Sequence, residues 1–190
     1  ASKSSVREAS GREENRRREL LEQVLKLEPK AARAALELAK YYSGTFRNPT
    51  EADRYAKMAV KLAPQWVEAR VFAARVATMK GIDGEIEREL HALVAEFPHH
   101  PAVLRFAGYY RGLRGDYRGS DELFARCLAK GDATDDYCRE RLFSRAIERL
   151  DVEAALRHAA ETRRLNPFDL DTSTGLIRIF LAKGDLDQAL

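Results

Sequence analysis

The chain has two cysteines in 190 residues. That is too few for a disulfide-dense secreted scaffold and, taken alone, for a four-ligand zinc site. Long apolar runs are missing as well: a stretch such as "GLIRIFLA" is cut by arginine, and nothing approaches the roughly 20 apolar residues that a membrane-spanning helix needs. The opening "ASKSSVREASGREENRRREL" has no apolar centre of a secretory signal. The cytoplasm is then the default compartment, and the periplasm the alternative if a signal or anchor was removed. Charge of one sign is not in excess either: 33 basic residues face 30 acidic ones, a formal net charge of +3. Bulk charge therefore does not point to nucleic acid. What is present, 45% hydrophobic and 33% charged residues, is the composition of a folded chain.

Prolines are few but regularly placed. Pro29, Pro64, Pro98 and Pro167 are separated by 35, 34 and 69 residues, the last close to two periods, and Gly131 with Asp132 supplies the break midway. Each period holds two helical patterns, such as 31–42 followed by 50–62 and 101–113 followed by 118–130. The turns "SGTFRNPT", "KGIDGE", "RGDYRG", "ERLD" and "KGDLD" separate the two helices within a pair, and Thr50 ahead of Glu51 is the expected N-cap in "NPTEAD". Helices of about 12 to 14 residues are marginal alone, so these pairs must stack. Stacking gives an all-α solenoid with a concave and a convex side.

A period of 34 residues with two helices and a proline near its end resembles the tetratricopeptide-repeat family, over residues 15 to 190. Ala39, Ala52, Ala59, Ala74, Gly108, Ala155 and Ala189 match its small positions, and Leu38, Tyr42, Leu90 and Phe124 its larger apolar ones. Ala77 stands where an aromatic is usual, Ile86 at a small site and Cys127 in place of alanine. The resemblance implies a right-handed superhelix of stacked antiparallel helix pairs. About five repeats would occupy 13–190, behind a flexible polar tail over 1–12. The last repeat stops within "GDLDQAL", which predicts incomplete ends, a fragment of a longer chain, and poor cover for Leu176, Ile179 and Phe180.

No nucleophile, acid–base pair, metal cluster or phosphate loop stands out, so neither an enzyme nor a cofactor site is expected. The segment "GYYRGLRGDYRGS" has no Walker spacing, and its glycines read as helix-contact and turn residues. Its interleaved Arg111, Arg114, Arg118 and Tyr109, Tyr110, Tyr117 are the feature that keeps nucleic-acid binding open. His99 and His100 with His91 read as loop and surface residues rather than metal ligands. Cys127 and Cys138 flank a short connection, so a disulfide and a pair of small core thiols are both open.

In the family that the chain resembles, first helices line a groove that binds peptides or partner proteins. Carried over by position, that groove receives Arg33, Lys40, Arg75, Arg105, Tyr109, Arg139, Phe143 and Arg178. A cation in nearly every repeat predicts an acidic peptide or protein partner, held in a scaffold that assembles a larger complex. The alternative is a domain of a multidomain enzyme or bacterial envelope export machine, positioning an anionic polysaccharide. The asparagines of the family's carboxylate clamp for chaperone tails are absent at the matching positions.

Overall fold

A computed structural model describes residues 3–44, 47–81, 83–130, 136–166, 168–185 and 187. These form ten α-helices and, among the described residues, no strand. They divide into two compact units, Ala1–Glu96 and Phe97–Leu190, each built of stacked antiparallel helix pairs.

The first unit holds α1 (Lys3–Leu27), α2 (Ala32–Gly44), α3 (Pro49–Leu62), α4 (Val67–Lys80) and α5 (Asp83–Glu96). The stretch 1–12, expected as a tail, is helical from Lys3 onward. It lacks an apolar stripe, but its alanine, arginine and glutamate residues are strong helix formers. The cap of α3 also differs from expectation. Asn48, not Thr50, accepts the Glu51 N–H at 3.2 Å, and Pro49 takes the first helical position, where a missing N–H costs nothing. Ala39, Ala52 and Ala59 are fully buried, so α2 and α3 approach closely around Leu36 and Leu38. Tyr42 stacks on Tyr55, ring centroids 5.6 Å apart, at one border of this core.

Ionic groups tie three helices of the first unit. The Asp53 carboxylate of α3 accepts from Lys57 at 3.2 Å and from Lys80 of α4 at 2.7 Å. Lys57 also reaches Glu85 of α5 at 3.3 Å. Burial alone would raise the Asp53 carboxyl, but the two ammonium groups outweigh it and hold its pKa below the usual range. Arg70 of α4, nearly buried, bridges Glu89 and Glu96 of α5.

The second unit holds α6 (Pro101–Leu113), α7 (Tyr117–Lys130), α8 (Asp136–Glu148), α9 (Val152–Leu165) and α10 (Leu170–Lys183). Cys127 of α7 and Cys138 of α8, both fully buried, are joined by a disulfide with Cα atoms 6.5 Å apart. Asp151 caps α9 by accepting the Ala154 N–H at 3.0 Å, and Asp169 caps α10 by accepting that of Thr172 at 2.9 Å. Gly175 admits α8 to α10: a Cβ there would lie 2.6 Å from the Phe143 ring.

Leu176, Ile179 and Phe180, expected to lie uncovered, are instead buried with Phe143, Ala146, Ala155 and Ala159. They occupy the stripe of α10 that faces the preceding pair. The exposed large apolar side chains of α10 are Leu170, Ile177 and Leu181, at 79%, 44% and 52%. The break at Gly131 and Asp132, Pro167, Ala189 and most of the half-helix expected after Gly184 lie outside the described residues.

Candidate interaction surface

The eight residues assigned to a groove divide between the units. In the first, Arg33 is exposed on α2. Two turns on, Lys40 donates to Glu37 at 2.7 Å, while Arg17 of α1 reaches the other oxygen of that carboxylate at 2.6 Å. A single glutamate therefore tempers two cations. Arg75 is exposed on α4, its guanidinium 4.7 Å from the centre of the Phe72 ring, a cation–π contact.

In the second unit, Arg105 and Tyr109 are half-buried on α6. Arg139 of α8 is only 6% exposed and donates to Asp136 at 3.0 Å, so its charge is largely satisfied within the helix. Phe143 is part of the core cluster, and Arg178 is exposed on α10.

Arg139, Phe143 and Arg178 come together in a cavity of about 720 Å³ between α8, α9 and α10. Phe143 and Ile147 give it an apolar wall, and Ser144, Thr162, Asn166, Thr172 and Thr174 a polar one. It also holds five carboxylates, on Asp136, Glu140, Glu148, Asp169 and Asp171. Reading the sequence for cations alone misses these, although 136, 140, 144 and 148 recur every four residues along one face of α8. Thr172 and Gly175 were missed as well. Only packing identifies them, since neither residue type signals a site.

His158 of α9 is half-buried. Burial lowers its pKa; Arg157 and Arg139 push the same way and Asp151 opposes them. A smaller cavity of about 360 Å³ in the first unit lies among α3, α4 and α5. The charges of Arg70, Lys57, Glu85 and Glu89 there are committed to one another's helices. Arg33, Lys40 and Arg75 line neither cavity.

The arginine–tyrosine mixture near Gly115 is engaged internally. Tyr110 is buried, Arg111 approaches Asp116 at 3.5 Å, and Arg145 covers the Tyr117 ring at 4.3 Å. Among the described residues no group of histidine, cysteine, aspartate or glutamate could hold a metal ion. No helix among them is long and apolar enough to cross a membrane.

No protein-family model and no curated protein matches the chain. Solved structures do. PilW, a type IV pilus biogenesis factor, superposes with a TM-score of 0.76 at 16% identity, over 100% of this chain and 90% of its own. Pseudomonas aeruginosa PilF gives 0.71 at 15% identity, over 85% of this chain and 72% of its own. YrrB, a tetratricopeptide-repeat protein with an unusual peptide-binding site, gives 0.58 at 14% identity, over 90% of this chain and 87% of its own. The ten helices of the described residues, in stacked pairs, and these likenesses give the chain the tetratricopeptide-repeat fold.

Proposed function

We propose that the protein is a non-catalytic interaction module, which binds a peptide segment of a partner on the first helices of its repeats and so joins a larger assembly. The observation that carries this reading is the cavity between α8, α9 and α10. Its volume of about 720 Å³ falls in the range of pockets that hold small ligands, with an apolar wall for contact area and polar groups for orientation. Two of its three helices, α8 and α10, are first helices of their pairs. The likeness to PilW, a pilus biogenesis factor, supports an assembly role, and that to YrrB supports peptide recognition.

An acidic segment is the partner proposed for the exposed cations Arg33 and Arg75 of the first unit, where bidentate bonds to carboxylates are available. Anionic polysaccharide and nucleic acid compete for the same description. The test is affinity capture from source-cell lysate with the native chain, with Arg75→Glu/Arg105→Glu and with Arg33→Glu. A protein retained by the native chain and lost with either variant supports the reading. Retention of polysaccharide or nucleic acid in its place would favour those ligands, and identical retention by all three baits would remove the groove from consideration.

A further inference from the structure

We infer that the cavity of α8, α9 and α10 accepts a cationic side chain, lysine or arginine, from the bound peptide; this rests on the interaction-module reading above. The charges that line it decide the sign. Five carboxylates stand against the two guanidinium groups of Arg139 and Arg178. Internal partners then account for most of them. Asp136 is met by Arg139 at 3.0 Å, Glu148 by Arg145 at 2.7 Å, and Asp169 is held at the α10 cap by the Thr172 N–H at 2.9 Å. Glu140, Asp171 and Arg178 remain, and none of them makes an ion pair among the described residues. The uncommitted charge is negative.

A second observation is independent of that count. Thr172 lines the cavity at 3% exposure, and its hydroxyl has no hydrogen-bond partner among the described residues. That oxygen is not one of the buried atoms left without a partner, so it stays open to the cavity and can accept from a ligand there in place of water. An ammonium with three donors, or a guanidinium with five, can serve the hydroxyl oxygen and the two free carboxylates together. A carboxylate ligand would meet Glu140 and Asp171 instead, like charge against like.

The apolar wall fits the same occupant. Lysine and arginine carry three or four methylenes below the charged head, a stem that Phe143 and Ile147 can cover while the head reaches the acidic rim. The Phe143 ring adds a face for cation–π contact. The second unit thus selects a ligand of opposite sign from the one expected of the groove arginines.

The test uses dodecapeptides displayed on phage, selected against the full chain, with the enriched sequences resynthesised and titrated by fluorescence anisotropy. Enrichment of lysine or arginine is expected. Affinity should fall about tenfold in Glu140→Gln/Asp171→Asn and hold or improve in Arg178→Gln. It should also weaken as salt is raised from 50 to 500 mM. Both substituted carboxylates are exposed and uncommitted, and an unchanged circular-dichroism melt verifies the fold. Acidic or neutral enriched peptides, or affinities that ignore the double substitution, would overturn the cationic site and leave the interaction module standing. No enrichment of any peptide would overturn both.

Discussion

Reducing the Cys127–Cys138 bridge should loosen α7 and α8, and the size of the effect follows from the loop it closes. The two residues are 11 apart in sequence, with Cα atoms 6.5 Å apart and both side chains fully buried. Removing a cross-link over a loop of about 12 residues returns roughly 9.5 cal/mol/K to the unfolded chain, or about 3 kcal/mol at 25 °C. With a urea slope of about 1.5 kcal/mol/M, the transition of the second unit should move down by about 2 M on adding reductant. Repeat arrays do not always unfold as one step, so the local readout is hydrogen exchange. Amides of α7 and α8 should lose protection, while those of α2 and α3, which carry no bridge, serve as the internal reference. The Cys127→Ala/Cys138→Ala variant should be insensitive to reductant. Two free thiols in the untreated denatured chain, or unchanged α7 and α8 protection after reduction, would refute the reasoning.

Three further outcomes follow from the geometry. Leu150 sits at φ 54° in the turn between α8 and α9, where the corresponding turns use Gly81, Gly115 and Gly184 at φ 69°, 81° and 76°. Leu150→Gly should therefore raise stability by about 0.5–1 kcal/mol in a urea melt, because leucine is strained in the left-handed region. Asp53→Asn should cost about 1–2 kcal/mol at neutral pH by removing the negative charge shared by Lys57 and Lys80. The Asp53 pKa is depressed by those two ammonium groups, against its burial, so its contribution is whole above the unfolded value near 3.9. It is lost as pH falls through the lower folded value, and the variant should show a flatter stability profile below about pH 4. The His158 pKa is also depressed, by burial and then by Arg157 and Arg139, so that stability is whole above about pH 6.5 and falls as acid protonates the ring. His158→Gln should shrink the drop in melting temperature between pH 7 and pH 5; an equal drop in both proteins would remove His158 as the cause.

The helix pairs were legible because two simple signals agree: proline at a fixed interval and apolar residues on one face of each helix. Their boundaries match to within a few residues wherever punctuation is strong, as at Pro101–Leu113 for α6. The sequence was less informative where a boundary depends on competition between neighbours. Asn48 and Thr50 are both good caps, and Pro49 decides between them because it fits the first helical position. The N-terminal stretch lacks an apolar stripe, which is the periodic signal of a helix, whereas helix propensity leaves no such period to read. Leu176, Ile179 and Phe180 were identified as apolar, but periodicity does not say which stripe of a helix has a neighbour. The cations of the candidate groove were found one by one, yet the sign of a site is a sum over every side chain that packing collects. The carboxylates of α8 and α10 reverse it.

The meeting of Gly175 with the Phe143 ring bears on how such a site changes over time. A methyl group at residue 175 would lie 2.6 Å from an aromatic carbon, too close for the ring to keep its place. The breadth of the cavity is thus set by an atom the chain leaves out, on a helix different from the one that supplies the ring. Alanine or serine at this one position would tilt Phe143 and recut the apolar wall while every charged group kept its place. Which side-chain stem is admitted and which charge is preferred can then drift separately, so that a repeat could change partners by one substitution without passing through a form that binds nothing.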